Sequence, residues 1–157
     1  LIKQLEDKYK VTVITQNVDD LHERAGSTNI IHLHGELLKM RGVDDPYTFY
    51  DCTEDIKVGD LSPNGAQLRP HIVWFGEDVP MIVKAAEEVE TADIVLIVGT
   101  SLQVYPAAGL MNCAEEGTPI YYVDPRPSIS SKNNITVIKD VASTGVAKAI
   151  ELIKELK

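Results

Sequence analysis

Residues 93–98 read Asp-Ile-Val-Leu-Ile-Val and run straight into Gly99-Thr100-Ser101. Nothing else in the chain restricts its fold so tightly. A segment that is apolar at every position after the first, with no alternation, has to be covered on both faces. The expected place for it is the centre of a parallel sheet with helices above and below. Further short apolar runs, at 11–14, 30–34, 71–75, 119–123 and 135–138, read as additional strands. Between them lie segments of helical character at 1–9, 20–24, 81–91 and 106–116, and a last one opens at Ser143. Ile82, Val83, Ala86 and Val89 form the predicted inner face of the third, and Val146, Ile150, Ile153 and Leu156 that of the last. Strands alternating with helices imply an α/β, doubly wound parallel sheet of Rossmann-like type with right-handed crossovers.

Residues 36–68 break this rhythm. Asp, Gly, Pro and Tyr accumulate there, helical periodicity disappears, and Ser62-Pro63-Asn64-Gly65 is a strong turn signal. The expected organisation is therefore a main domain made of residues 1–35 and 70–157, interrupted by a small irregular module at 36–69.

With 157 residues the chain suits one domain, burying roughly 70% of its unfolded surface. At 44% hydrophobic and 25% charged it has the composition of a globular protein. A net charge of -9 argues against a nonspecific hold on nucleic acid or on an anionic membrane. No apolar run approaches the ~20 residues of a membrane helix. Cys52 and Cys113 are too few for a disulfide framework or a four-cysteine zinc site, and a cytoplasmic location fits them. The chain starts at Leu1, inside a helical pattern, which is expected of a fragment of a longer protein; a processed terminus is the alternative.

Chemistry-bearing residues collect at strand ends. Thr15-Gln16-Asn17-Val18-Asp19 follows the run at 11–14, where open α/β sheets place their ligands. His32-Leu33-His34-Gly35 closes the next strand, and strand alternation puts His32 and His34 on one side. Three readings of these histidines stand open: core residues with satisfied hydrogen bonds, a pair of metal ligands, or a general base, since an imidazole titrates near ~6.5. Gly99-Thr100-Ser101 suits close approach by a phosphate or ribose, although many buried strands end in small residues. There is neither a G-x-G-x-x-G nor a Walker motif. His22 and His71 receive no role from their spacing. Cys52 stands in an acidic stretch that disfavours the anion a nucleophile needs.

Taken in order, Thr15-Gln16-Asn17-Val18-Asp19, His34-Gly35, Arg69-Pro70-His71-Ile72-Val73-Trp74-Phe75-Gly76-Glu77 and Gly99-Thr100-Ser101 closely resemble the sirtuins, NAD-dependent protein lysine deacylases. The resemblance runs from about Tyr9 to the end of the chain. It implies that the acyl oxygen of a modified lysine attacks C1' of the nicotinamide ribose. His34 would be the general base that activates a ribose hydroxyl, with Asn17 as its catalytic companion. Gln16 and Asn17 would hold ribose hydroxyls and water, and Asp19 the nicotinamide carboxamide. Gly99, Thr100, Ser101 and Asp124 would serve the adenosine half of NAD. Val73, Phe75, Gly76 and Glu77 would bind the acyl-lysine peptide as an added strand, a mode that tolerates many sequences.

Three departures from the family pattern stand out. The glycine-rich first strand and loop that cradle the NAD phosphates are expected upstream of Leu1. The two cysteine pairs of a structural zinc site are replaced by residues such as Gly42, Asp44 and Asp45, so a zinc-free module is expected, held by Tyr47, Phe49, Tyr50, Ile56, Val58 and Leu61. Asp124 stands where the family usually has Asn. The wording around Trp74 looks most like the branch holding bacterial enzymes and removers of acidic acyl groups, which leaves acetyl and succinyl both open. Two other functions share these residues: NAD glycohydrolysis or ADP-ribosyl transfer, and noncatalytic NAD sensing.

Overall fold

The computed structural model describes residues 1–156. Strands β1 (Val13–Thr15) and β2 (Ile30–His32) pair in parallel, Val13 opposite Ile30 and Thr15 opposite His32. Between them runs α2 (Leu21–Arg24), after the short N-terminal helix α1 (Ile2–Leu5). Asp19 starts α2 by accepting the Leu21 N–H at 3.1 Å, and Gly26, at φ +90°, ends it. β2 stops at His32, two residues short of the expected end. Leu33 and His34 form a turn instead, because Gly35 at φ +83° redirects the chain into the next sheet.

That sheet is antiparallel, in the order β4 (Phe49–Asp51), β3 (Gly35–Gly42), β5 (Leu68–Ile72). Two of its strands lie, but for Gly35, in the stretch expected to be irregular, 36–68, and the strand expected over 71–75 starts earlier and ends at Ile72. β3 escapes a period-two pattern because its pairing with β5 shifts register between Gly35 and Met40, and because Leu37 and Leu38 are both exposed. The expected apolar cluster does not form a core here. Tyr47, Phe49, Val58 and Leu61 are all exposed, and only Tyr50 and Ile56 are half-buried. Side-chain bonds to the main chain take its place. Asp45 accepts the N–H groups of Tyr47 and Thr48. The Gln67 amide nitrogen lies 3.0–3.1 Å from the carbonyls of Lys57, Asp60 and Leu68, while its oxygen accepts the Gly59 N–H at 2.8 Å. The predicted turn forms, with the Gly65 N–H on the Ser62 carbonyl.

A second parallel sheet has the order β6 (Val95–Val98), β7 (Ile120–Val123), β8 (Ile135–Ile138). Among the described strands β7 is central, and all four of its residues are buried. β6 lies at the edge and is only partly buried, contrary to expectation. Apolarity on both faces reports what covers a strand, not its rank in the sheet. Tyr121 and Val123 form a core with Ala149 and Ile153 of α4 (Ala142–Glu155), flanked by Leu96, Val98 and Ile138. Burying side chains of this size contributes ~1.5–3 kcal/mol each. Val146 and Ile150 are buried as expected, but Leu156 follows the helix and is exposed. In α3 (Ile82–Glu90) the buried face is Ala85 and Val89, so the predicted Val83 points outward. Residues 106–116 supply a 3-10 helix, Ala107–Cys113.

Residues 8–83 form one compact unit, and residues 1–7 with 84–156 another. Two parallel sheets with a small inserted antiparallel sheet make a Rossmann-type α/β fold. No helix among the described residues is long and apolar enough to cross a membrane.

Candidate active site

In the unit of residues 8–83 the end of β1 is shaped by Thr15. Its buried side chain accepts the Asn17 N–H at 3.1 Å, and its carbonyl accepts the Leu33 N–H at 2.9 Å. The Gln16 and Asn17 carbonyls are thereby turned towards the two histidines. His34 Nδ1 sits 3.1 Å from the Gln16 carbonyl. A carbonyl can only accept, so Nδ1 carries the proton, and in the neutral ring Nε2 keeps its lone pair. That is the protonation pattern a general base needs.

His32 is held differently. Its Nδ1 lies 3.4 Å from the Asn17 carbonyl and its Nε2 2.7 Å from Glu23 Oε1. Burial raises the Glu23 pKa, but the hydrogen bond from His32 and further favourable contacts outweigh it and leave the carboxyl below its usual value. The two histidines do not chelate together. One close group of potential metal ligands occurs among the described residues, Glu23, His32 and Glu36, and it includes neither His34 nor a cysteine. Each of its members already has a protein partner, Glu36 being paired with Lys39 at 3.0 Å. Val18, Asp19 and His32 line one side of a cavity of about 260 Å³, with Glu36 and Leu37 among its other walls; Asn17 and His34 do not line it.

Beyond β5 the chain leaves the sheet, and Val73 donates its N–H to the His34 carbonyl at 2.9 Å. Residues 74–77 form a turn, with the Glu77 N–H on the Trp74 carbonyl at 3.0 Å and Gly76 at φ +90°. At its tip Phe75 is 99% exposed and Trp74 58%. His71, given no role from the sequence, stacks on Phe49 at 4.6 Å between ring centres. Burial first, and the Arg41 charge second, hold its pKa below the usual value, which suits a neutral packing residue.

In the other unit Gly99 follows β6 at φ +63°, and its N–H bonds the Val123 carbonyl at 2.9 Å. The register Val98–Val123 sets Gly99-Thr100-Ser101 beside Asp124, at the carboxyl ends of adjacent parallel strands. Among the described residues none but its chain neighbours comes within 4 Å of where a Gly99 Cβ would be, so the main chain there is open to a ligand. Two supports were missed by sequence reasoning. The Tyr122 hydroxyl donates to the Thr100 carbonyl at 2.8 Å, and Leu102, at φ +55°, donates its N–H to the Thr100 hydroxyl oxygen at 3.3 Å. The adjacent tyrosines of β7 were the only hint. Asp124 accepts the Arg126 N–H at 2.7 Å, which leaves its second oxygen for another donor.

A base-competent histidine and an open glycine turn, each at the carboxyl end of a parallel strand, define the class of α/β proteins that bind ligands at strand ends. A model of the Sir2 family matches residues 1–106, and the chain belongs to that family. It is 49% identical over 160 residues to an NAD-dependent protein deacylase of Bacteroides thetaiotaomicron, covering 98% of this chain and 68% of the relative. An NAD-dependent protein deacylase of Helicobacter pylori is 54% identical over 125 residues, covering 80% of this chain and 53% of the relative. Among solved structures, a Sir2 homolog–NAD complex superposes with a TM-score of 0.79 at 34% identity, over 98% of this chain and 62% of that one. Sir2Tm bound to a propionylated peptide gives 0.78 at 28% identity, over 98% and 68%. The chain thus spans about half to two thirds of the length of these relatives.

Proposed function

We propose that this chain carries the catalytic base and much of the binding surface of an NAD-dependent lysine deacylase, yielding nicotinamide and O-acyl-ADP-ribose. The observation that carries the reading is the His34 ring, whose Nδ1 is committed to the Gln16 carbonyl so that Nε2 can accept a proton. His34 takes that proton from a ribose hydroxyl, a contribution of typically ~10²–10⁴-fold. Gln16 and Asn17 orient the ribose and local water, and Asp19 accepts from the nicotinamide amide. Gly99, Thr100, Ser101 and Asp124 serve the adenosine half. The residues of each unit suit NAD as co-substrate: amide and carboxylate groups at a strand end in one, and in the other hydroxyl and carboxylate groups with a glycine that leaves the main chain uncovered. NAD supplies the glycosidic bond to be broken.

Val73, Phe75, Gly76 and Glu77 receive the acyl-lysine peptide, supported by the exposed residues at 74–77. A free NAD glycohydrolase has no use for such a segment. Residues 1–35 with 70–157 make up the NAD-binding domain and 36–69 the small module, supported by an antiparallel sheet confined to residues 35–72. Protein or peptide acyl-lysines are the partners, acetyl and succinyl both being admitted, and neither nucleic acid nor membrane is needed. The free thiols of Cys52 and Cys113 support a cytoplasmic setting.

The test uses the full-length native polypeptide with NAD and matched acetyl- and succinyl-lysine peptides, products being followed by mass spectrometry. Deacylated peptide with O-acyl-ADP-ribose, lost in His34→Ala while NAD still binds, is the expected outcome. NAD consumed with both peptides intact would replace this reading with the glycohydrolase or transferase one.

A further inference from the structure

Residues 74–76 are exposed, but the carboxylate of Glu77 is anchored. Glu77 Oε1 accepts from Arg69 Nη1 at 2.5 Å. Oε2 accepts the Trp74 N–H at 3.0 Å and Arg69 Nη2 at 3.3 Å, with Arg41 Nη2 at 3.8 Å. Arg69 also donates to the Ile72 carbonyl at 3.2 Å, so one guanidinium joins the end of β5 to the end of the turn. The Arg41 side chain is only 9% exposed and is paired with Glu77, while Asp45 also feels its charge. Removing the Glu77 carboxylate would strip a largely buried cation of its ion-pair partner, and such a loss is felt strongly. The Arg69 bond foremost, and then the Trp74 N–H, hold the Glu77 carboxyl below its usual pKa.

The turn needs this hold. Its tip cannot be fixed by burial, since Phe75 is almost fully exposed, and Gly76 adds main-chain freedom. Residue 77 closes the turn twice on Trp74, its N–H to the Trp74 carbonyl and its carboxylate to the Trp74 N–H. The other end is tied to the His34 carbonyl through Val73. Main chain from 73 to 76 is therefore clamped between the residue of the proposed base and a carboxylate gripped by two arginines.

We propose that the Glu77 side chain is a positioning group for the acyl-lysine peptide: held by Arg69 and Arg41, it fixes the Val73–Gly76 edge and Phe75 where an extended peptide adds, leaving the pairing with that peptide to the main chain. This rests on the deacylase reading above. A carboxylate already engaged on both oxygens has little left to offer a substrate. Pre-setting the edge lowers the ordering cost that peptide binding would otherwise meet.

The experiment compares full-length wild type, Glu77→Gln and Glu77→Asp. Glutamine keeps the shape but turns an amide donor towards guanidinium donors. Glu77→Gln is expected to raise KM for the acyl-lysine peptide by roughly tenfold or more, with KM for NAD held within about twofold and kcat less affected. Glu77→Asp keeps the charge and recovers part of the loss. Trp74 is the only tryptophan of these 157 residues and lies inside the turn, so the acrylamide quenching assigned to it, as the signal lost in Trp74→Phe, reads the order of the turn without any turnover. Quenching rises in Glu77→Gln if the carboxylate holds the turn. An active wild type whose Glu77→Gln variant matches it in peptide KM and in quenching overturns the inference. A fall in apparent kcat that tracks a loss of folded protein, with both KM values unchanged, also overturns it, as a merely structural effect. A wild type that leaves acyl-lysine peptides intact refutes the deacylase reading instead.

Discussion

Gly35 is the position at which a single methyl group should do the most damage. A Cβ built there lies 1.9 Å from the His71 carbonyl oxygen, 2.8 Å from its carbon and 3.1 Å from Ile72 Cα. All three are backbone atoms, so no side chain can rotate aside. Carbon–oxygen contacts settle near 3.3–3.6 Å, so β5 would have to retreat by roughly 1.4 Å. Such a retreat breaks the Gly35–Ile72 pairing and pulls on the Val73–His34 bond. The φ of +83° adds about 1–2 kcal/mol for any residue with a Cβ. With the lost hydrogen bonds, Gly35→Ala is expected to cost about 3–5 kcal/mol. Gly59→Ala is the control: its φ is +101° but nothing lies within 4 Å, so only the conformational cost of about 1–2 kcal/mol applies. Urea unfolding followed by Trp74 fluorescence measures both. If the two variants agree within about 0.5 kcal/mol, the proposed clash is absent and the reasoning fails.

Two further outcomes follow from buried contacts. Gly145→Ala improves helix propensity by about 1 kcal/mol, but its Cβ would lie 2.4 Å from Val123 Cγ1 in a fully buried side chain. Overpacking of about 1–3 kcal/mol should prevail; a double-mutant cycle with Val123→Ala must then show favourable coupling, and strict additivity would discount the contact. His71 binds its proton more weakly when folded than when unfolded, because burial, and next Arg41, disfavour the charged ring. Its contribution to stability is complete above the unfolded value of ~6.5 and is lost as pH falls through the lower folded value. His71→Phe should flatten that part of the stability–pH curve; an unchanged slope would assign it to other groups.

How far the sequence could be read varied with what held each element. β8 lies where expected, and α2 begins directly after Asp19-Asp20 and ends before Gly26, because strand patterning, capping and glycine breaks are local signals. His34 was found as a candidate, yet the strand alternation invoked for it does not apply, since it sits in a turn made by Gly35. β3 was missed because a register shift and exposed leucines erase its periodicity. The edge position of β6 and the clamp on Glu77 depend on partners distant along the chain, Arg41 among them, which no window around those residues contains.

The bond between His34 and Gln16 also bears on which substitutions this protein can tolerate over generations. A histidine oriented by a carboxylate can lose its tautomer when one codon changes. Here the acceptor is a main-chain carbonyl, which every amino acid at position 16 supplies. Drift in the Gln16 side chain therefore does not erase the ring's proton assignment, and the chemistry around His34 is free to diversify while its tautomer is inherited intact.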